Sequence, residues 1–280
     1  MKAAEMTGTR QDIDTGTDEL LCHTEQLVGV ITLNRPEARN SLSDNLSPAL
    51  RRMIAELGAD ASVGAVMITG AGTAFCAGGN VKGMGDNRAP LSIEEAEERL
   101  KERQRTLTGA LMAMRKPTIA VLPGPAIGAG LSLALACDLR IMAQSAFVGT
   151  GYVRVGLSGD YGIAWMLTSL LGSARARELM FTGARVDAAT CERLGLANRI
   201  VADDRLQEEA FAFAKELADG PSVALGLIKD NLNWATGHDF LSALDHEAEN
   251  MIQAGRTADH KEAVRAFIEK RKPVFGQESS

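Results

Sequence analysis

No uninterrupted apolar stretch in this 280-residue chain reaches the about 18 residues that a membrane-spanning helix needs, so no such span is expected. A basic surplus is missing too. The 30 Lys and Arg stand against 36 Asp and Glu, and the formal charge of -6 excludes the clustered positive face of a nucleic-acid binder. Cys22, Cys76, Cys137 and Cys191 are scattered without a CxxC pair, which points to buried reduced thiols rather than disulfides. His23, His238, His246 and His260 show no HExxH or other ligand spacing, so no metal site is expected. The absence of a GK dipeptide removes a Walker-type phosphate loop. GAGTAF from Gly70 lacks the third glycine of a dinucleotide fingerprint. Gly130-Leu131-Ser132-Leu133-Ala134 lacks the second glycine of a hydrolase nucleophile elbow. The first 17 residues hold neither an apolar block nor an Arg-rich pattern, so they read as a frayed tail on a protein of the cytoplasm.

What the chain does contain is 45% hydrophobic residues, enough for one large core or a core with a small appendage. Strands are expected near Glu19–Cys22 and Leu27–Leu33, then at Ala65–Thr69, Thr118–Leu122 and Leu139–Met142. Between them lie helical patterns, the clearest with Leu42, Leu46, Leu50, Met53 and Leu57 on one face. Alternation of this kind predicts an α/β fold with largely parallel sheets. Residues 84–92 are rich in breakers and read as a mobile loop beside a pocket. The charge run Glu94–Arg105 that follows reads as a solvated helix face, unless one acid or Arg points into that pocket. From about Asp203 the pattern is helical throughout. The division is therefore a tail over 1–17, a core over 18–201 and a helical region over 202–280.

Two glycine-rich turns follow buried-strand patterns, Val66–Gly83 (VMITGAGTAFCAGGNVKG) and Ile119–Arg140 (IAVLPGPAIGAGLSLALACDLR). Small residues at a strand end uncover backbone N–H groups, and a helix starting there adds the positive end of its dipole. Close helix–strand packing also demands small residues and is the competing explanation. With an opening ITLNRPEARNSLS and a closing KEAVRAFIEKRKPVF, these turns make the chain, from about Leu20 to about Phe275, resemble the crotonase (enoyl-CoA hydratase/isomerase) superfamily.

That resemblance implies a crotonase-like ββα spiral core with a C-terminal trimerisation region, and a homotrimer or dimer of trimers. It also implies an acyl-CoA substrate whose enolate oxygen is held by two backbone N–H groups, here those of Ala77 and Ala129. No permanently bound cofactor is implied, because coenzyme A arrives as part of the thioester. The CoA-binding positions fall on Arg35, Arg39, Gly78, Gly79, Asn80, Phe267 and Lys270. The two glutamates of a hydratase fall on Ser132 and Tyr152, neither of which is a carboxylate, so ordinary hydration is expected to be poor. The stretch Val155–Gly162 resembles the GLxxDxG of dienoyl-CoA isomerases, which makes Asp160 the leading proton-transfer residue. A helix cap for Asp160, a wall position for Tyr152 and a salt bridge or acyl carboxylate for Arg154 remain open. The functions in play are isomerase-type or specialised hydratase/lyase chemistry, ordinary hydration with altered water positioning, and a catalytically silent acyl-CoA-binding or assembly subunit.

Overall fold

Three short apolar runs form the centre of the structure, a computed structural model that describes residues 8–79 and 91–276. They are β3 (Val28–Leu33), β4 (Ala65–Gly70) and β5 (Thr118–Leu122), and every residue of the last two is buried. Strands apolar on both faces need cover on both sides, the usual condition of a parallel sheet. These three do pair in parallel, and β7 (Leu139–Ala143) and β10 (Arg199–Val201) extend the sheet in the same sense. At the other edge β2 (Leu20–Glu25) and β1 (Gln11–Ile13) add antiparallel, completing the order β1-β2-β3-β4-β5-β7-β10. A smaller sheet has the order β6-β8-β9, from β6 (Ala126–Ile127), β8 (Phe147–Gly149) and β9 (Arg185–Asp187).

The edge strand corrects part of the tail expected over 1–17. Gln11–Ile13 pair with β2 in a register that sets Ile13 opposite Cys22, and the buried Thr15 hydroxyl lies 2.7 Å from the carbonyls of both Thr17 and Leu20. Residues 1–7 lie outside the described part of the chain, as does most of the loop expected over 84–92.

The first helix, α1 (Leu46–Ala59), buries Leu46, Leu50, Met53 and Leu57 as the leucine spacing predicts and Ile54 besides, whereas Leu42 precedes it and bridges to Gly79 instead. Its N-cap residue Asn45 makes no side-chain cap bond. Ser43 Oγ accepts from the Leu46 N–H at 3.0 Å instead, and the Glu19 carboxylate accepts from the same N–H at 3.2 Å and from the Ser43 hydroxyl. A carboxylate there also complements the helix dipole.

The charged run forms α2 (Ile93–Gln104), opened by a Ser92/Glu95 capping box and continued through a π-helical turn into α3 (Ala110–Ala113). Then come α4 (Ala129–Ala136), α5 (Ile163–Thr182) and α6 (Ala188–Leu194). The C-terminal region is helical as expected, but its first helix, α7 (Leu206–Ala218), belongs to the core packing through buried Leu206, Ala210, Ala214 and Ala218. The last three helices are α8 (Ser222–Ala235), α9 (Phe240–Ala254) and α10 (Ala258–Glu269). Lys229 of α8 ties them to the core, donating at 2.9 Å to Asp138 and at 3.1 Å to the Leu111 carbonyl.

Candidate active site

The two glycine-rich turns are stitched to each other. Phe75 and Cys76 both donate their N–H groups at 3.1 Å to the Pro125 carbonyl, and Ile127 N–H donates back at 2.9 Å to the Cys76 carbonyl. So close an approach needs glycine: a Cβ on Gly130 would stand 2.2 Å from the Cys76 oxygen, and one on Gly124 would stand 2.0 Å from the Thr73 oxygen. The helix–strand packing explanation thus holds, and it leaves room for the functional one. Gly130→Ala is expected to cost about 3 kcal/mol, because backbone rather than a mobile side chain must move. A thermal melt within about a degree of the parent's contradicts that.

Which N–H groups remain open differs from expectation at one position. Ala77 N–H donates at 2.9 Å to the Arg39 carbonyl, so the assignment of an oxyanion donor to Ala77 is corrected. The reason is a tertiary pairing: Gly78 has φ of 93°, and its carbonyl accepts from Leu42 N–H at 2.8 Å. The turn therefore runs alongside the segment leading into α1 and spends the Ala77 donor there. Gly78 N–H faces the Cys76 thiol. Gly79 N–H has no acceptor among the described residues, and Gly79 lines the same cavity as Ala129. Ala129 opens α4 after Gly128, whose φ of 57° and ψ of -125° turn the chain sharply from β6. Its N–H, like the other first-turn donors of a helix, lacks an intrahelical partner.

Ser132, Tyr152 and Asp160 are brought together as one polar chain. The Ser132 and Tyr152 hydroxyls lie 3.0 Å apart, and the Tyr152 hydroxyl donates at 2.7 Å to the Asp160 carboxylate. Ser132 Oγ also reaches the Gly128 and Asp160 carbonyls at 3.3 and 3.2 Å. Burial raises the Asp160 pKa from its ordinary value, and the Tyr152 hydrogen bond opposes that rise. Burial also raises the Tyr152 pKa, and the Asp160 charge adds to the effect, so Tyr152 stays a phenol at neutral pH. The cap role for Asp160 is not observed, since α5 starts after Gly162 with no side-chain cap bond.

Tyr152 and Asp160 face a cavity of about 530 Å³, a volume suited to a small-molecule acyl group, and Ser132 is buried behind its wall. Its walls include Gly79, Ala129, Tyr152, Asp160 and Tyr161, with Ser47 and Arg51 of α1 and Leu100 and Arg103 of α2. The charged run is exposed along α2 as expected, and Arg103 is its residue that reaches the cavity as a charge. Sequence reasoning did not single out the open N–H of Gly79 and missed Arg51 as a cavity residue altogether. The i, i+4 step from Ser47 to Arg51 on one helix face was the available signal.

Several expected binding residues lie elsewhere. Arg35 pairs with Glu19 at 3.4 Å and donates to the Ser41 carbonyl at 2.8 Å, a structural brace off the cavity wall. Arg39 is exposed with φ of 49° and does not line the cavity. Arg154 donates at 3.1 Å to the Gly183 carbonyl rather than pointing inward. Phe267 is 85% exposed on α10 and Lys270 ends that helix with φ of 54°, both away from this cavity. Asn80 lies outside the described residues. All four cysteines are free and buried, and burial pushes the Cys76 thiol up to about 12, so it is inert. No group of His, Cys, Asp and Glu among the described residues is arranged to hold a metal ion, and no described helix is long and apolar enough to cross a membrane.

Residues 23–278 match the family described as enoyl-CoA hydratase/isomerase. A probable enoyl-CoA hydratase of Mycobacterium bovis is 36% identical over 258 residues, covering 92% of this chain and 98% of the relative. The 1,2-epoxyphenylacetyl-CoA isomerase of Escherichia coli is 35% identical over 262 residues, covering 91% and 97%. Among solved structures, an enoyl-CoA hydratase from Polaromonas sp. superposes with a TM-score of 0.86 at 32% identity, over 92% of this chain and 99% of that one. The expected crotonase-like α/β architecture is thereby observed.

Proposed function

Because the chain belongs to the enoyl-CoA hydratase/isomerase family, whose enzymes act on CoA thioesters, we propose that it is an isomerase-type enzyme of that family working through Asp160. The thioester oxygen is taken up between the N–H groups of Gly79 and Ala129. Asp160 carboxylate removes a proton from one acyl carbon as the C–H electron pair delocalises onto that oxygen. The resulting carboxylic acid returns the proton at another carbon of the conjugated chain, and the thioester carbonyl reforms.

The observation that supports this most is the single carboxylate, with raised pKa, in the Ser132–Tyr152–Asp160 chain. An isomerisation returns the proton it removes, so one carboxyl group serves both steps. Hydration needs water activated and a carbon protonated, for which two positioned carboxyls are the efficient solution. A silent binding subunit has no need of a half-buried carboxyl group in its cavity. The test is to offer the purified protein unsaturated CoA thioesters and follow products by chromatography. Double-bond migration without added water supports the proposal, and efficient hydration of a simple enoyl-CoA contradicts it.

Tyr152 acts here as a positioning residue. Its hydrogen bond favours the ionised form of Asp160, and the ionised form is the base, so the rate falls as pH drops through the Asp160 pKa. In Tyr152→Phe that pKa moves further up, and the acidic limb of the kcat/KM profile is expected to shift to higher pH by about one unit. An unmoved limb separates Tyr152 from Asp160.

The assembly proposed is a homotrimer or dimer of trimers. It is supported by the apolar side chains left exposed on the last three helices, among them Phe240 at 75%, Met251 at 71% and Ile268 at 73%. In such an assembly Phe267 and Lys270 meet the CoA of a neighbouring copy.

A further inference from the structure

Resting on the acyl-CoA reading of this cavity, we propose that Arg51 and Arg103 recognise a carboxylate carried by the acyl group, which makes the substrate class mono-thioesters of dicarboxylic acids. Both residues line the cavity, one from α1 and one from α2. Neither guanidinium has a hydrogen-bond or ion-pair partner among the described residues, whereas Arg35 nearby in sequence is saturated by Glu19 and Ser41. The cavity also carries two carboxylates, Asp44 and the Asp160 already engaged by Tyr152.

Tyr161 lines the cavity together with both arginines, and their charges oppose the rise that burial gives its phenol pKa. Tyr161 is itself held rigidly. Its φ is 54°, and its N–H donates at 2.6 Å to the Gln104 side-chain carbonyl, one residue along α2 from Arg103. Neither arginine is among the influences on the Asp160 carboxyl group, which are burial and the Tyr152 hydroxyl. A neutral acyl chain gives two unpartnered guanidiniums nothing to bind. A carboxylate matches their planar forks, and partial enclosure strengthens the attraction.

The experiment measures dissociation constants by calorimetry for saturated thioesters that cannot turn over. Succinyl-, adipyl- and suberyl-CoA are compared with butyryl-, hexanoyl- and octanoyl-CoA, and each pair is repeated as N-acetylcysteamine thioesters, which lack phosphate. The proposal expects at least one dicarboxylic mono-thioester to bind about 10-fold or more tighter than its partner of equal length in both series. In Arg51→Gln and in Arg103→Gln that ratio is expected to fall near one, and the exposed position of Arg103 keeps the second variant folded. A ratio near one at every length in the parent, or one that survives in either variant, overturns the proposal. Equal weakening of both CoA esters with no change in the cysteamine esters assigns the arginines to CoA phosphates and overturns it too. Uptake of the monocarboxylic esters alone leaves the acyl-CoA reading standing, whereas uptake of no thioester overturns both.

Discussion

Asp160→Asn is expected to lower turnover about 10²-fold or more while thioester binding stays near that of the parent. The amide is close to isosteric, and its oxygen still accepts the Tyr152 hydroxyl proton that the carboxylate accepts at 2.7 Å. What it loses is the capacity to take a proton from carbon. Helix stability is not at stake, because the residue before α5 that begins it is Gly162 and no side chain caps it. Steady-state kinetics beside a binding isotherm separates the two quantities. An Asn variant that turns over like the parent removes Asp160 from the chemistry and moves attention to Tyr152 or to the charged helix.

Ala129→Pro is expected to reduce turnover about 10²- to 10³-fold, the usual cost of deleting one donor to a developing oxyanion. Proline is ordinarily a harsh substitution in a helix, but Ala129 is the first residue of α4, where a fixed φ fits and the N–H has no intrahelical acceptor. The substitution therefore deletes the donor selectively. Retained melting temperature with lost activity is the expected pair of results. Retained activity would falsify the oxyanion role of this group.

The parts of the fold that were legible in the sequence are those with a strong period or a long apolar run. The strands around Ile31, Ile68 and Ala120 and the α1 face from Leu46 to Leu57 carry such signals. The strands β6, β8 and β9 have two or three residues each and owe their existence to tertiary pairing, which no local pattern announces. Edge strand β1 was hidden for the same reason, with only Ile13 half-buried. In the site, Ser132, Tyr152 and Asp160 were found because a resemblance placed them, and their contacts across 8 to 28 positions of sequence explain why spacing alone could not. The open N–H of the first turn lies two residues beyond the one expected. Which N–H stays open is set by the pairing of Ala77 with Arg39, a contact between distant segments that the motif does not contain. The pairing of Arg35 with Glu19 was not legible either, because Glu19 lies 16 residues earlier, just before β2.

The most direct test of the account is the position of a thioester oxygen in a crystal structure of the protein with an unreactive acyl-CoA bound. The expected result is that oxygen within about 3 Å of the nitrogens of both Gly79 and Ala129, with the Asp160 carboxyl group facing an acyl carbon. A thioester oxygen that meets neither nitrogen, or an acyl chain that lies outside the cavity holding Tyr152 and Asp160, contradicts it.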